Sequence, residues 1–323
     1  MTTIIAKDAL RQSVEMASEG RQTVLRTKKG SPSYFNVIPA FNCEDISPDL
    51  GTGRHPAFVV NGIEKSEIFI GSYQAIIHEG EALSLPFQNP KTGIDFDASR
   101  AACAAAGTGF HLMTNLEWAA VALWMVKHGH VHTRGNTNYG ESHSNPEEFG
   151  LCCEHGKTLT GSGPASWRHD GTMFGIADLV GNAWEWVDGL KLVSGKIVMP
   201  TDNAFELSEG EWPDTGMSIN GIKGIQISDK VTDRGWINKT FNDIVSQGDI
   251  YSTIALKQAM LFPLDDMKVP GHVWADNSKG FEALPVRGGG WYNTSGCGLA
   301  ALLLCNVRSD VYGSIGFRPA FIV

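Results

Sequence analysis

Four groups of side chains in this sequence have types and spacings that can do chemistry. His128, His130 and His132 alternate, so on a strand they would share a face, as the imidazoles of a metal site do. They stand at the end of an apolar helical stretch, though, where the helix dipole also favours histidine. Cys152-Cys153-Glu154-His155 offers soft ligands, but adjacent thiols seldom both reach one tetrahedral ion and no second CxxC exists. Buried or loop thiols are therefore expected. Trp184-Glu185-Trp186 would place two indoles on one face of a strand. That suits a sugar platform or a core, and a core is expected. Arg287-Gly-Gly-Gly-Trp291 has neither the Lys-Ser/Thr nor the helix start of a phosphate loop. Its glycines are expected to let backbones pack closely.

The elements that hold these groups must come from a chain of 323 residues with 42% hydrophobic and 19% charged residues, which is globular. Its length suits one large domain or two ordinary ones. With 26 Lys+Arg against 35 Asp+Glu the net charge is −9, which argues against a nucleic-acid partner, since phosphate binding needs clustered positive charge. The 37 Gly and 9 Trp suggest loops around a bulky, rigid interior rather than a helix bundle. No apolar run approaches the roughly 18 residues of a membrane span, so no membrane insertion is expected. The opening MTTIIAKDALRQ has no signal-peptide pattern, and six Cys are no disulfide framework at this length. Synthesis in a reducing cytoplasm follows.

Periodicity and punctuation give the element order. Ala6 to Ser18 tolerates helix, with Gly20 as a stop. Thr23 to Leu25 and Tyr34 to Ile38 read as strands around a Lys-Gly-Ser-Pro turn, Asn61-Gly62 as a hairpin turn, and Glu67 to Tyr73 as a strand. Asp97 can cap a helix through Ala106, ended by Gly107. Thr114 with Glu117 makes a capping box for a second helix to about His128, apolar nearly all round and so buried. Arg134 to Pro164 reads as long loops. Residues 190 to 285 show no clear periodicity beyond a helix near Ser252 to Leu261, and are expected to be a loop-rich insertion. Ile315 to Val323 has strand character.

In order along the chain, Gly109-Phe-His-Leu-Met-Thr-Asn-Leu-Glu117-Trp118, Gly175-Ile-Ala-Asp178-Leu-Val-Gly181-Asn182-Ala-Trp184-Glu185-Trp186, Arg287-Gly-Gly-Gly-Trp291 and Gly316-Phe317-Arg318 resemble the formylglycine-generating-enzyme branch of the C-type lectin fold. The resemblance implies an α+β fold: two helices around small antiparallel sheets, here with a long loop-rich insertion. Residues 1–60 would be an N-terminal segment packed on the main domain. Residues 61–323 would form the C-type-lectin-like domain, with the insertion at about 190–285 and a variable region at about 291–316. The copper-dependent oxidases of this branch carry a cysteine pair with four residues between, shortly after the RGG-aromatic motif. Here Cys297 and Cys305 have seven between them, and Leu302, Leu303 and Leu304 stand where basic residues usually follow. The resemblance to the oxidases is therefore incomplete. Asn182 and Glu185 lie in a motif resembling a calcium-binding loop of these enzymes, so Ca²⁺ is the one cofactor implied; none is required.

The chain resembles more closely the variable proteins of diversity-generating retroelements, through His55-Pro-Ala-Phe, Leu159-Thr-Gly-Ser-Gly-Pro-Ala-Ser166-Trp167, Gly298-Leu-Ala-Ala-Leu302 and Ile315-Gly-Phe-Arg-Pro-Ala320. In that family adenine replacement turns Asn codons into a set that cannot encode Lys, Glu, Gln, Trp or Met. Those five types make up 57 of the 323 residues, yet Tyr292 to Ser314 contains none. Chance gives such a gap about one time in a hundred, although buried strands also avoid charge. The resemblance makes Tyr292, Asn293, Thr294, Ser295, Gly296, Cys297, Leu303, Cys305, Asn306, Asp310, Val311, Tyr312, Gly313 and Ser314 the candidate ligand-binding positions. Tyr292 and Tyr312 would be the anchors, because Tyr offers large contact area with few torsions. Leu303 and Cys305 flank Leu304, which suits alternate outward side chains on a strand, although both would also suit a core.

The implied function is non-enzymatic binding of a variable ligand, a cell-surface protein or glycan. The setting is a virion protein made in the host cytoplasm, such as a tail receptor binder touching other virion proteins, or else a bacterial or archaeal cytoplasmic protein. A copper oxidase and an undiversified carbohydrate-binding or structural module are the alternatives.

Overall fold

Residues 8–221, 225–247 and 252–323 are described by a computed structural model. β-Branched and aromatic runs punctuated by turns form the first sheet. Gln22–Arg26 pairs antiparallel with Pro32–Pro39, which pairs with Glu67–Gly71. The C-terminal strand Pro319–Phe321 then inserts between Glu67–Gly71 and Phe110–Leu112. Strands from residues 22–39 and 319–321 thus share one sheet with Glu67–Gly71 and Phe110–Leu112. Asn61 and Gly62, both at positive φ, turn the small hairpin of Val59–Val60 and Ile63–Glu64.

Three helices follow from their caps. Ala9–Ala17 starts at Asp8, whose side chain accepts from Arg11 N. Phe96–Ala105 is capped by Asp95, which accepts from Ala98 N at 2.7 Å. Asp97, the cap expected from sequence, lies in its first turn instead and pairs with Arg308. Both aspartates precede the same apolar pattern, and the backbone turns helical at the earlier one. Asn115–Lys127 has the expected capping box of Thr114 and Glu117 and ends at His128. Almost all of its side chains are buried, so it runs through the main apolar cluster and is covered on every side.

The second sheet has eleven strands. Glu282–Arg287 lies near its middle. On one side follow Lys191–Val193, Lys196–Val198, Asp214–Asn220, Gln226–Ser228 and Val245–Ser246. On the other follow Leu302–Asn306, His272–Asp276 and, at the edge, Trp236–Thr240. Trp184–Trp186 branches from the same central strand and pairs in turn with Ile315–Phe317. The insertion is therefore loop-rich but also supplies most strands of the larger sheet. Its strands run for only a few residues: some pair as local hairpins, while Lys191–Val193 with Glu282–Arg287 and Trp236–Thr240 with His272–Asp276 pair across long sequence distances. The helix expected near Ser252 to Leu261 is the short Ile254–Gln258. A second apolar cluster, built on Phe96, Trp184, Trp186, Leu284, Val286 and Phe317, fills the space between the central strands and the Phe96–Ala105 helix.

Candidate ligand-binding face

The sequence landmarks form a buried frame. Trp186 is fully buried and donates to Ile94 O; Trp118 donates to Leu299 O. Arg287 donates to Asn115 Oδ1 and to the carbonyls of Ala259 and Met260, and its burial pulls its pKa down to about 9. The glycines beside it are required by close approach. A Cβ on Gly288 would lie 2.7 Å from Leu179 O, and one on Gly289 2.9 Å from Cys297 Cα. The ion pair of Arg318 and Glu185 is buried, with Nη2–Oε1 at 2.7 Å and Nε–Oε2 at 2.9 Å. Arg318 also donates to Gly71 O and Ala177 O, so one guanidinium ties the first sheet to the Gly175–Asp188 segment.

On this frame sits the stretch 292–314. Tyr292, Thr294, Ser295, Val311, Tyr312 and Gly313 are exposed. Asn293, Gly296, Leu303, Cys305, Asp310 and Ser314 are half-buried. The alternation expected for Leu302–Asn306 holds: Leu302, Leu304 and Asn306 point inward while Leu303 and Cys305 reach the surface. Two candidate positions need correcting. Cys297 and Asn306 are each 5% exposed and lie beneath the surface, because Cys297 packs on the Gly289 backbone and Asn306 takes the inner side of its strand. Asn293 has a positioning part: its Oδ1 accepts from Trp184 Nε1 at 3.0 Å and Gly290 N at 2.9 Å. The 310–314 turn is held by Val307 N donating to Asp310 Oδ2, Gly93 N to Tyr312 O and Trp184 N to Ser314 O.

The structure brings further residues to this face that the sequence did not single out. Trp274 is the register partner of Leu303, and Asn238 is the partner of Trp274. Alternation along the strands then puts Trp236, Asn238 and Thr240, His272, Trp274 and Asp276, and Leu303 and Cys305 on one side of the sheet. Trp274 meets Trp184 edge-on at 5.8 Å and His272 at 4.7 Å. A side chain at Gly296 would start 3.1 Å from Trp274. The signal was present as Trp-Ile-Asn-Lys-Thr and His-Val-Trp-Ala-Asp, two alternating runs within the insertion.

The groups that could do metal chemistry are otherwise engaged. His128 stacks on Trp124 at 4.0 Å, and no cluster of three metal-ligating side chains occurs among the described residues. All six cysteines are free thiols. Cys297 donates to Gly290 O and lines a cleft with His143 and Ser295, whereas Cys305 stands beside Asp276 and Asp310. Burial pushes both thiols up to about 12, which disfavours the thiolates that Cu(I) needs. The calcium motif fits its metal no better. Asn182 Oδ1 accepts from Thr158 N and Asn136 Nδ2, and both Glu185 oxygens accept from Arg318. A guanidinium supplies the positive charge there.

What fold and site define is a mixed α+β protein that carries an exposed aromatic and polar face on a rigid, hydrogen-bonded frame. No family profile and no curated protein matches the chain. Among solved structures it is similar to PvdO from Pseudomonas aeruginosa, at 14% identity over 93% of this chain and 98% of that one, with a TM-score of 0.39. It is similar to Treponema denticola variable protein 1 at 13% identity, over 93% and 98% of the two chains, with a TM-score of 0.37. For the Major Tropism Determinant P3c variant the identity is 12%, the coverage 89% and 62%, and the TM-score 0.33. Among the described residues no helix is long and apolar enough to cross a membrane.

Proposed function

We propose that this chain is a ligand-binding variable protein of the C-type lectin fold, with 292–296, Leu303, Cys305 and 310–314 as its diversified surface. The observation that carries the reading is the division between the two sets of residues. Twelve of the fourteen candidate positions reach the surface, while the landmark residues Trp118, Trp167, Trp186, Arg287, Phe317 and Arg318 are fully buried. Exposed substitutions usually change stability by no more than about 0.5 kcal/mol, so such a frame can carry many sequences on one backbone. A backbone fixed in advance also lowers the ordering cost of binding.

The natural partner in this reading is a cell-surface protein or glycan, and the setting a viral tail that recognises its host. The test is genomic. A near-copy of the DNA encoding Trp291 to Gly316, differing at adenines and lying beside a reverse-transcriptase gene, is the expected finding. Its absence would remove the retroelement from the reading. The oxidase alternative requires stoichiometric Cu(I) binding by Cys297 and Cys305, and Cu(I) titration of the reduced protein is expected to show none.

A further inference from the structure

The insertion strands that extend the variable face have a pattern of their own. Trp236, at the sheet edge, is 58% exposed among the described residues, an unusual position for an indole. Trp274, on the strand next to that edge, is half-buried and touches both His272 and Trp184. Between Tyr292 and Ser314 there is no Trp at all. The two indoles of these strands, Trp236 and Trp274, thus add to the exposed Tyr292, Val311 and Tyr312 of the variable stretch.

Charge on the face is one-sided. Asp276 and Asp310 both stand close enough to Cys305 to raise its pKa, in addition to the effect of burial. Among the described residues, Asp276 accepts only from Ser278 N, and Asp310 only from Val307 N. Arg308, the cation nearest in sequence to Asp310, is committed to Asp97, Glu209 and Glu282. His272 supplies no charge at neutral pH, since partial burial lowers its pKa. Two carboxylates beside exposed aromatic rings form the complement of a cation with an apolar stem.

We propose that Trp236–Thr240 and His272–Asp276 form a fixed half of the binding face, which holds a protein partner by a Lys or Arg set among apolar side chains. This rests on the ligand-binding reading above and deepens it. Trp274 and Trp236 take the apolar contact, and Asp276 and Asp310 take the cation. The variable positions next to them, Gly296, Leu303 and Cys305, adjust the fit. Because Leu303 is the register partner of Trp274 and Gly296 lies against its ring, a partner seated on one half meets the other.

The test uses the full chain and a displayed library of random cyclic peptides, selected for binding and counter-selected on the Tyr292→Ala/Tyr312→Ala double variant. Recovered peptides are expected to carry Lys or Arg beside aromatic or aliphatic residues. They are expected to bind Trp236→Ala and Asp276→Asn at least about tenfold more weakly, with melting temperatures unchanged. Both sites are open enough to leave the fold intact, and Trp274→Phe, which keeps a ring, provides a third reading. Binding within about twofold of wild type in all three variants overturns the inference while the variable-face reading stands. If no peptide survives counter-selection, the variable-face reading itself falls and takes the inference with it. Selection of neutral peptides, or a glycan from an array that loses binding in the same variants, overturns the assignment of a cationic protein partner.

Discussion

At the scale of single residues, the 292–314 stretch separates into side chains that face solvent and side chains that hold the turn. Tyr312 is 51% exposed and only its backbone is engaged. Tyr312→Ala is therefore expected to weaken ligand binding while shifting stability by no more than about 0.5 kcal/mol, measured by thermal denaturation beside a binding titration. A large fall in melting temperature would place the ring in the core. Thr294 has φ +47, a conformation that β-branched residues rarely adopt. Thr294→Gly is expected to raise stability by about 0.5–1 kcal/mol in urea unfolding, because glycine removes that strain. The sequence made position 294 a candidate by its codon class; its backbone angle was invisible there, since Thr gives no turn signal. Cys297 and Asn306 have codons of the same class, yet both are buried. The alphabet of a diversified region says which types can occur and nothing about which way they point.

Elements meet through two buried ionic contacts, and both can be tested. Glu185 on Trp184–Trp186 pairs with Arg318 next to the last strand, so the pair joins the two sheets. Glu185→Ala would leave a guanidinium buried without its counter-charge, and is expected to cost about 3–5 kcal/mol in denaturant unfolding. A loss below about 1 kcal/mol would mean that water replaces the carboxylate. The second contact joins Phe110–Leu112 to the start of Asn115–Lys127. His111 Nδ1 faces Gly109 O and Nε2 faces Glu117 Oε1, both at 2.9 Å. Both partners accept, so both ring nitrogens donate and the imidazole is charged. Desolvation pulls the His111 pKa down, but the Glu117 charge and hydrogen bond outweigh it and hold it above 6.5. A raised folded value stabilises the protein fully below pH about 6.5, and that contribution fades as pH rises through the folded pKa. The melting temperature should therefore fall across this interval in wild type, and less steeply in Glu117→Gln; parallel profiles would refute the charged pair. The capping box that begins this helix was legible from Thr114 and Glu117, whereas the imidazole above it was not, because only the strand pairing brings His111 there.

On the scale of the whole molecule, the buried frame and the exposed positions of 292–314 draw on different parts of the chain. The calcium motif is closed by its own guanidinium, so neither chelator nor millimolar Ca²⁺ is expected to move the melting temperature; a shift of several degrees would show that Asn182 and Glu185 do take a metal. The sequence by itself determined the α+β class, the buried apolar helix, the landmark frame and the stretch where five residue types are missing. These are legible because caps, hydrophobic periodicity and glycine or tryptophan placement act locally and leave a local record. Tertiary structure decided how the strands within 190–285 enter the larger sheet, since Lys191–Val193 and His272–Asp276 take partners about 30 to 90 residues away that their own short patterns do not name. It also decided which side chains share the face. Trp236, Trp274 and Asp276 come to lie beside Leu303 and Cys305 through strand register, and register is a property of pairing that no single segment contains.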